Sequence, residues 1–411
     1  MTDTPDFSGV ALPCTFSNPD SIEENKNSSM DALLSTRGNQ MHKQILRTAV
    51  AVAVTGSVAQ AAFAQSSVTL YGIVDAGFTY TNNQKGKSAY QATQGNVQGS
   101  RWGLLGSEDL GGGNKVLFKL ENGFSLESGA SGQGGRMFGR SAWVGLSNNR
   151  VGTITLGRQY NSVQDYLSNL QINGVGAMSQ YGNAIYDNDD INNTYRTNNA
   201  IKYTTPTFSG FTANAMYAFS NTAGDFSNNR AWSVGADYAA GPVRLDAAYS
   251  LVDHPASNTA GAAPSDNYYS TSSSVISNVA RNQVWGAGGA YTFGPAIVAL
   301  LYTNSHFDLL TGGSLRFANY EASVRYQFTP ATLLSLGYIY TSQNSSSATA
   351  SNAHYNQLAL GGEYFLSKTT DVYLNGIYQR SSGAKAWVEG VTNPSSNNGQ
   401  FVTVVGIRHK F

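Results

Sequence analysis

After residue 65 the sequence alternates apolar and polar residues with period two, in segments of roughly ten residues, and contains no apolar run long enough for a transmembrane helix. The breaks between segments alternate as well. Seven are short (110–114, 148–150, 206–210, 241–242, 294–295, 329–330, 367–369). Eight are long (81–99, 125–137, 161–196, 221–229, 254–281, 308–315, 344–354, 383–399). They separate sixteen strand-like segments. A backbone crosses lipid without helices only when every amide is paired within a closed sheet. An even strand number, with short and long connections in turn, is the pattern of a bacterial outer-membrane barrel. The predicted fold class is therefore all-β: a sixteen-stranded antiparallel transmembrane β-barrel with periplasmic short turns and termini, and long external loops.

Individual segments carry the two faces such a wall needs. In FVTVVGIRHKF, Phe401, Val405, Ile407 and Phe411 share one parity, while Gly406, Arg408 and Lys410 share the other. In KVLFKLENGF, Val116, Phe118, Leu120 and Phe124 oppose Lys115, Lys119 and Glu121. Aromatics gather at segment ends (Tyr291, Phe293, Tyr302, Phe328, Tyr338, Tyr340), where interfacial girdles belong. Composition separates this reading from a soluble β-sandwich or lectin-like fold, which shares the alternation but carries more surface charge. Charged residues are 12% of the chain, against about 25% in ordinary soluble proteins.

The first 64 residues follow another logic. Met41 precedes a short basic region with Lys43 and Arg47, an apolar run from Thr48 to Val58, and the A-x-A site Ala62-Phe63-Ala64. Residues 41–64 thus read as a secretory signal peptide, with 65–411 as the exported barrel domain. Residues 1–40 are polar and aperiodic, and read as a non-native or disordered N-terminal extension, with translation expected to start at Met41. They contain the only cysteine, Cys14, so the exported part has no disulfide chemistry. Removing the four basic and six acidic residues of positions 1–64 from the 25 of each leaves 21 basic and 19 acidic. That near-balance argues against a nucleic-acid partner.

Several stretches together resemble the Gram-negative general porins, most closely those of β-proteobacteria: SSVTLYGIVDAG (66–77), SRWGLLGSEDLGGGNKVLFKLENGF (100–124), GRSAWVGLSNNRVGTITLGRQY (139–160), NNAIKYTTPTFSGF (198–211) and GIRHKF (406–411). The resemblance covers the whole chain after residue 65. It implies a homotrimer in the outer membrane, in contact with outer-membrane lipid and lipopolysaccharide, each barrel enclosing a water-filled pore. It implies that the third external loop, 161 to about 194, folds inward and narrows that pore. It also implies that the terminal Phe411 is read by the outer-membrane assembly machinery.

In the family, wall arginines face loop acids across the constriction. The matching arginines here are Arg101, Arg158 and Arg196. Arg158 shares simple parity with the apolar Ile154 and Leu156, so either a bulge near Gly157 re-aims it or those residues face something other than lipid. Ile73 and Gly139 stand where relatives have basic residues, and Arg140 falls on the outward parity with Ala142 and Val144, so it is not counted as lining the pore. The loop offers Asp165, Asp187, Asp189 and Asp190 for the negative side, without a signal to rank them. The run DNDD does not match a calcium-loop spacing, and no metal or cofactor is expected.

The functional expectation is passive diffusion of small hydrophilic solutes and ions, weakly charge-selective and leaning to anions; the alternative is a substrate-selective channel for small anionic solutes. An enzyme is not expected. His254, His306, His354 and His409 lie near external loops or on the lipid parity, and no G-x-S-x-G or H-E-x-x-H motif occurs.

Overall fold

The computed structural model describes residues 66–411, apart from 177, 193–194, 267, 269–275 and 349; the expected extension, signal and cleavage site lie outside the described residues. Seventeen strand segments follow in order among the described residues: β1 (Ser67–Gln84), β2 (Lys87–Gln94), β3 (Arg101–Gly111), β4 (Asn114–Gly123), β5 (Ser141–Asn148), β6 (Gly152–Gln159), β7 (Thr197–Thr204), β8 (Phe211–Ala218), β9 (Ala231–Ala240), β10 (Val243–Asp253), β11 (Val279–Phe293), β12 (Ala296–Leu309), β13 (Ser314–Thr329), β14 (Thr332–Ser345), β15 (Ala353–Phe365), β16 (Thr370–Ser382) and β17 (Gly399–Lys410). Each pairs antiparallel with its chain neighbours, except that β2 and β3 both pair with β1: β2 lies against residues 76–84 and β3 against 67–73. They are two pieces of one stave, interrupted at 95–100, so the barrel has sixteen staves.

The barrel closes where β1 meets β17, from Ile73↔Lys410 to Thr81↔Val402. Phe411 finishes the seam. Its N–H donates to the Gly72 carbonyl at 3.0 Å and its carbonyl accepts from the Gly72 N–H at 2.9 Å. Its ring lies where a Gly72 Cβ would be, 2.3 Å from Cζ.

Alternation sets the two faces. In β17, Val405 and Ile407 are exposed outward, while Val402, Val404 and Arg408 are buried inward. On the outer face a girdle runs Trp285–Tyr302–Tyr320–Tyr340, with successive ring centroids 5.3, 4.9 and 6.1 Å apart. Tyr291–Phe293 and Tyr326–Phe328 mark the other edge of the apolar band. Some inward residues are apolar too, including Ile339, Ala359 and Ile377, because the inward loop packs Ile172, Met178 and Tyr181 against them.

All seven short breaks and the later seven long ones coincide with connections between strands, some overlapping a strand end by one to three residues. The first long break, 81–99, is mostly strand. β1 runs on to Gln84 and turns at Lys85 and Gly86, both with positive φ (53° and 92°), into β2. Such a two-residue turn matches the twist of a hairpin. Apart from Tyr90, which packs on Phe78 and Tyr80, residues 81–94 are mainly polar on both faces, so the ribbon lacks the alternation that marks a strand with one lipid face.

Candidate functional site: the pore constriction

Residues 160–196 connect β6 to β7, and their described part packs inside the barrel. The loop is not structureless: Ser162–Leu167 and Ile172–Val175 form helical turns. Asn161 caps the first, its Oδ1 accepting from Val163 N and Gln164 N at 2.9 and 3.2 Å. Val163, Leu167, Leu170 and Ile172 are fully buried against the inner wall, each such burial contributing about 2 kcal/mol. Polar staples add direction. Ser162 N donates to Ser233 Oγ at 3.0 Å, Ile172 N to Glu321 Oε1, and Gln357 Nε2 to the carbonyls of Gly182 and Asn183 at 2.8 and 2.9 Å.

The loop acids take part in this anchoring. Asp165 Oδ2 accepts from Lys202 Nζ at 2.7 Å and Asn214 Nδ2 at 2.8 Å. Asp189 Oδ2 accepts from Thr303 Oγ1 at 2.7 Å and Asn319 Nδ2 at 3.2 Å, tying the loop to β12 and β13. Asp190 accepts from Asn161, Gln164 and the Tyr195 N–H, which closes the base of the loop on itself. Burial, and then the neighbouring Asp187, hold its carboxyl well above the usual carboxylate range. Asp187 accepts the Asn192 N–H at 2.7 Å.

The arginines gather on the wall formed by β3 to β7, around Tyr160. Arg101 is buried and donates from Nε to the Gly99 carbonyl at 2.8 Å. Arg158 donates from Nε to the Gly139 carbonyl at 2.8 Å and from Nη1 to the Arg196 carbonyl at 3.2 Å. The β6–β7 register slips between Gly157 and Gln159, and Gly157 has φ 133°. This bulge turns Arg158 inward while Ile154 and Leu156 stay on the outer face. Arg196 lies over the Tyr160 ring, 5.4 Å from its centroid.

Two residues at this wall went uncounted in the sequence reading. Arg140 is buried, donating from Nε to Glu121 Oε1 at 2.8 Å and from Nη2 to Tyr160 Oη at 3.0 Å. The outward parity assigned to it fails because β5 begins only at Ser141, so the alternation does not reach back to 140. Glu121 is the acid paired with Arg140; it also takes Tyr71 Oη at 2.7 Å and Lys119 Nζ at 3.2 Å. Its parity with Lys119 was the available signal. Among the described residues no group of three or more His, Cys, Asp or Glu is placed to hold a metal ion.

Known proteins share this architecture. The profile of the Gram-negative porin family matches residues 48–384. Outer membrane porin protein 32 of Delftia acidovorans is 32% identical over 385 residues, covering 90% of this chain and 100% of its own. An outer membrane porin protein of Bordetella pertussis is 29% identical over 412 residues, covering 89% and 100%. The solved structure of an anion-selective porin from Comamonas acidovorans superposes with a TM-score of 0.69 at 27% identity, covering 84% of this chain and 100% of that one.

Proposed function

The chain belongs to the Gram-negative porin family and forms a diffusion channel in the outer membrane; on that premise we propose that its constriction favours small anions over cations. The observation that carries this reading is the gathering of Arg101, Arg140, Arg158 and Arg196 around Tyr160, with Glu121 paired to Arg140, Asp190 near Arg196 and Asp266 near Arg158, while Asp165 is paired with Lys202 and Asp189 is held to β12 and β13. Fixed charges in a narrow lumen select by sign, and solutes are otherwise sieved by diameter. The test is Arg158→Gln with Arg196→Gln in planar bilayers. The ratio of chloride to potassium permeability falls severalfold if the arginines set it, and an unchanged ratio refutes the reading.

The same premise carries a homotrimer. β5, β6, β7 and β8 have eight residues each, against 12 to 16 in β11 to β17. Eight residues tilted in a barrel rise only about 20 Å, short of the apolar band of about 25 Å. Exposed Val144, Leu146 and Leu156 on that short side suit another protomer better than lipid.

Lipopolysaccharide contact fits the next staves, β9 to β11. Arg230 and Arg281 share Asp253 at 3.0 and 2.9 Å on the outer face, on the external side of Trp232 and Trp285, at the level where lipid phosphates lie. Phe411, exposed at the seam, is the group offered to the assembly machinery.

A further inference from the structure

Residues 95–100, which interrupt the second stave, are not an external loop. Asn96 and Val97 are buried, and Val97 packs in the same inner cluster as Ile172, Met178 and Tyr181 of the constriction loop. The segment turns into the lumen and is held there by one carboxylate. Asp75, fully buried on β1, accepts the Val97 and Gln98 N–H groups on Oδ2, both at 2.8 Å. Tyr373 Oη donates to Oδ1 at 2.6 Å and in turn accepts from Asn96 Nδ2 at 3.0 Å. Gly77 leaves the room: a Cβ there would lie 2.6 Å from Asn96 Nδ2.

Both sides of the constriction rest on this detour. On the loop side, Gln180 N donates to the Asn96 carbonyl at 2.7 Å. On the wall side, Arg101 Nε donates to the Gly99 carbonyl at 2.8 Å. A third contact reaches β17, where Arg408 Nη1 donates to Gln98 Oε1 at 3.2 Å. A bulge that merely bends a strand needs no buried carboxylate, and burying one is costly unless its hydrogen bonds are complete. Here the carboxylate's bonds fix a backbone whose carbonyls then fix an arginine and the loop opposite it.

We propose that segment 95–100 is a second fixed component of the constriction, and that Asp75 is a positioning residue that keeps Arg101 and the inward loop in register with each other. The proposal builds on the anion-preferring constriction above. It names residues outside the inward loop and its facing arginines as determinants of pore shape and selectivity.

Single-channel recording of the full protein in planar bilayers tests it, because each current step reports an assembled channel whatever fraction folds. Three variants are compared with wild type: Asp75→Ala, Asp75→Asn and Tyr373→Phe. An asparagine Oδ1 still accepts both amides but its Nδ2 cannot accept from Tyr373 Oη, so Asp75→Asn changes open-channel noise and permeability ratio no more than Tyr373→Phe does. Asp75→Ala loosens the detour, raises the noise severalfold and moves the chloride-to-potassium ratio about twofold toward unity, as a displaced fixed charge requires. Tyr373→Phe removes one hydroxyl and gives a smaller change in the same direction; it serves if Asp75→Ala does not assemble. Wild-type noise and ratio in both Asp75→Ala and Tyr373→Phe overturn the proposal. Equal changes in Asp75→Ala and Asp75→Asn also overturn it, since they assign the effect to the charge of Asp75 and not to the backbone it holds. A wild-type channel without charge preference sinks the anion-preference reading alone; the noise comparison still decides this one.

Discussion

Replacing Glu121 by glutamine raises anion preference. The carboxylate takes Arg140 Nε at 2.8 Å, Lys119 Nζ at 3.2 Å and Tyr71 Oη at 2.7 Å, so it offsets the positive wall from within. For an ion passing at ~6 Å in water, one unit charge contributes about 0.7 kcal/mol, and screening at 0.1 M salt reduces this to about 0.4 kcal/mol. The change lowers the anion's barrier and raises the cation's by that amount, a combined effect of about 0.8 kcal/mol, or about fourfold in the permeability ratio. Glutamine keeps the shape and two of the hydrogen-bonding functions, so the folding penalty is about 1–3 kcal/mol. The assay is the zero-current potential of Glu121→Gln across a KCl gradient, read on inserted channels so that folding yield does not enter. A ratio that stays constant or moves toward potassium refutes the assignment of Glu121 to the constriction.

Other predictions follow from the same contacts. Burial, with Asp187 beside it, pushes the Glu389 carboxyl in the last external loop up to about 8; it is neutral below that pH and charged above it, so anion preference falls between pH 7 and 9. Glu389→Gln abolishes that step, and a wild-type ratio flat across this range contradicts it. Gly106→Val forces the Phe118 ring out of the space a Cβ needs, 1.9 Å from Cε1, and lowers barrel stability by about 1–3 kcal/mol in urea titration of folded protein in detergent. Leu156→Arg on the short-stave side shifts the purified protein from trimer toward monomer, read as mass by light scattering; an unchanged trimer sinks that interface. Arg230→Gln with Arg281→Gln weakens binding of purified bis-phosphorylated lipid A about thirtyfold, from about 1 kcal/mol per arginine at an anionic surface, and equal binding by both proteins contradicts the contact.

Much of the barrel was legible because lipid imposes a rule on every second residue. β17 reads directly: Val405 and Ile407 face out and Arg408 faces in. The rule fails where its cause is missing. Residues 81–94 rise as a ribbon with polar residues on both faces, so a real hairpin looked like loop. Arg140 precedes its strand, so parity counted from β5 aimed it wrongly. Arg158 was ambiguous because period two cannot place a bulge; the positive φ of Gly157 resolves it. The detour at 95–100 left no pattern at all. Its stabilising carboxylate, Asp75, sits well upstream on another stave, and its hydroxyl partner, Tyr373, lies on β16, a proximity that only closure of the barrel creates. Which loop acids anchor and which face solute depends on such long-range contacts too, and spacing within DNDD carries none of that information.

The central claim is that arginines on the wall dominate the potential in the constriction. The most direct test is the zero-current potential of the wild-type protein across a tenfold KCl gradient in a neutral planar bilayer. Anion preference makes the dilute compartment negative with respect to the concentrated one, and this is the predicted result. A positive dilute compartment shows that carboxylates govern the pore and contradicts the account.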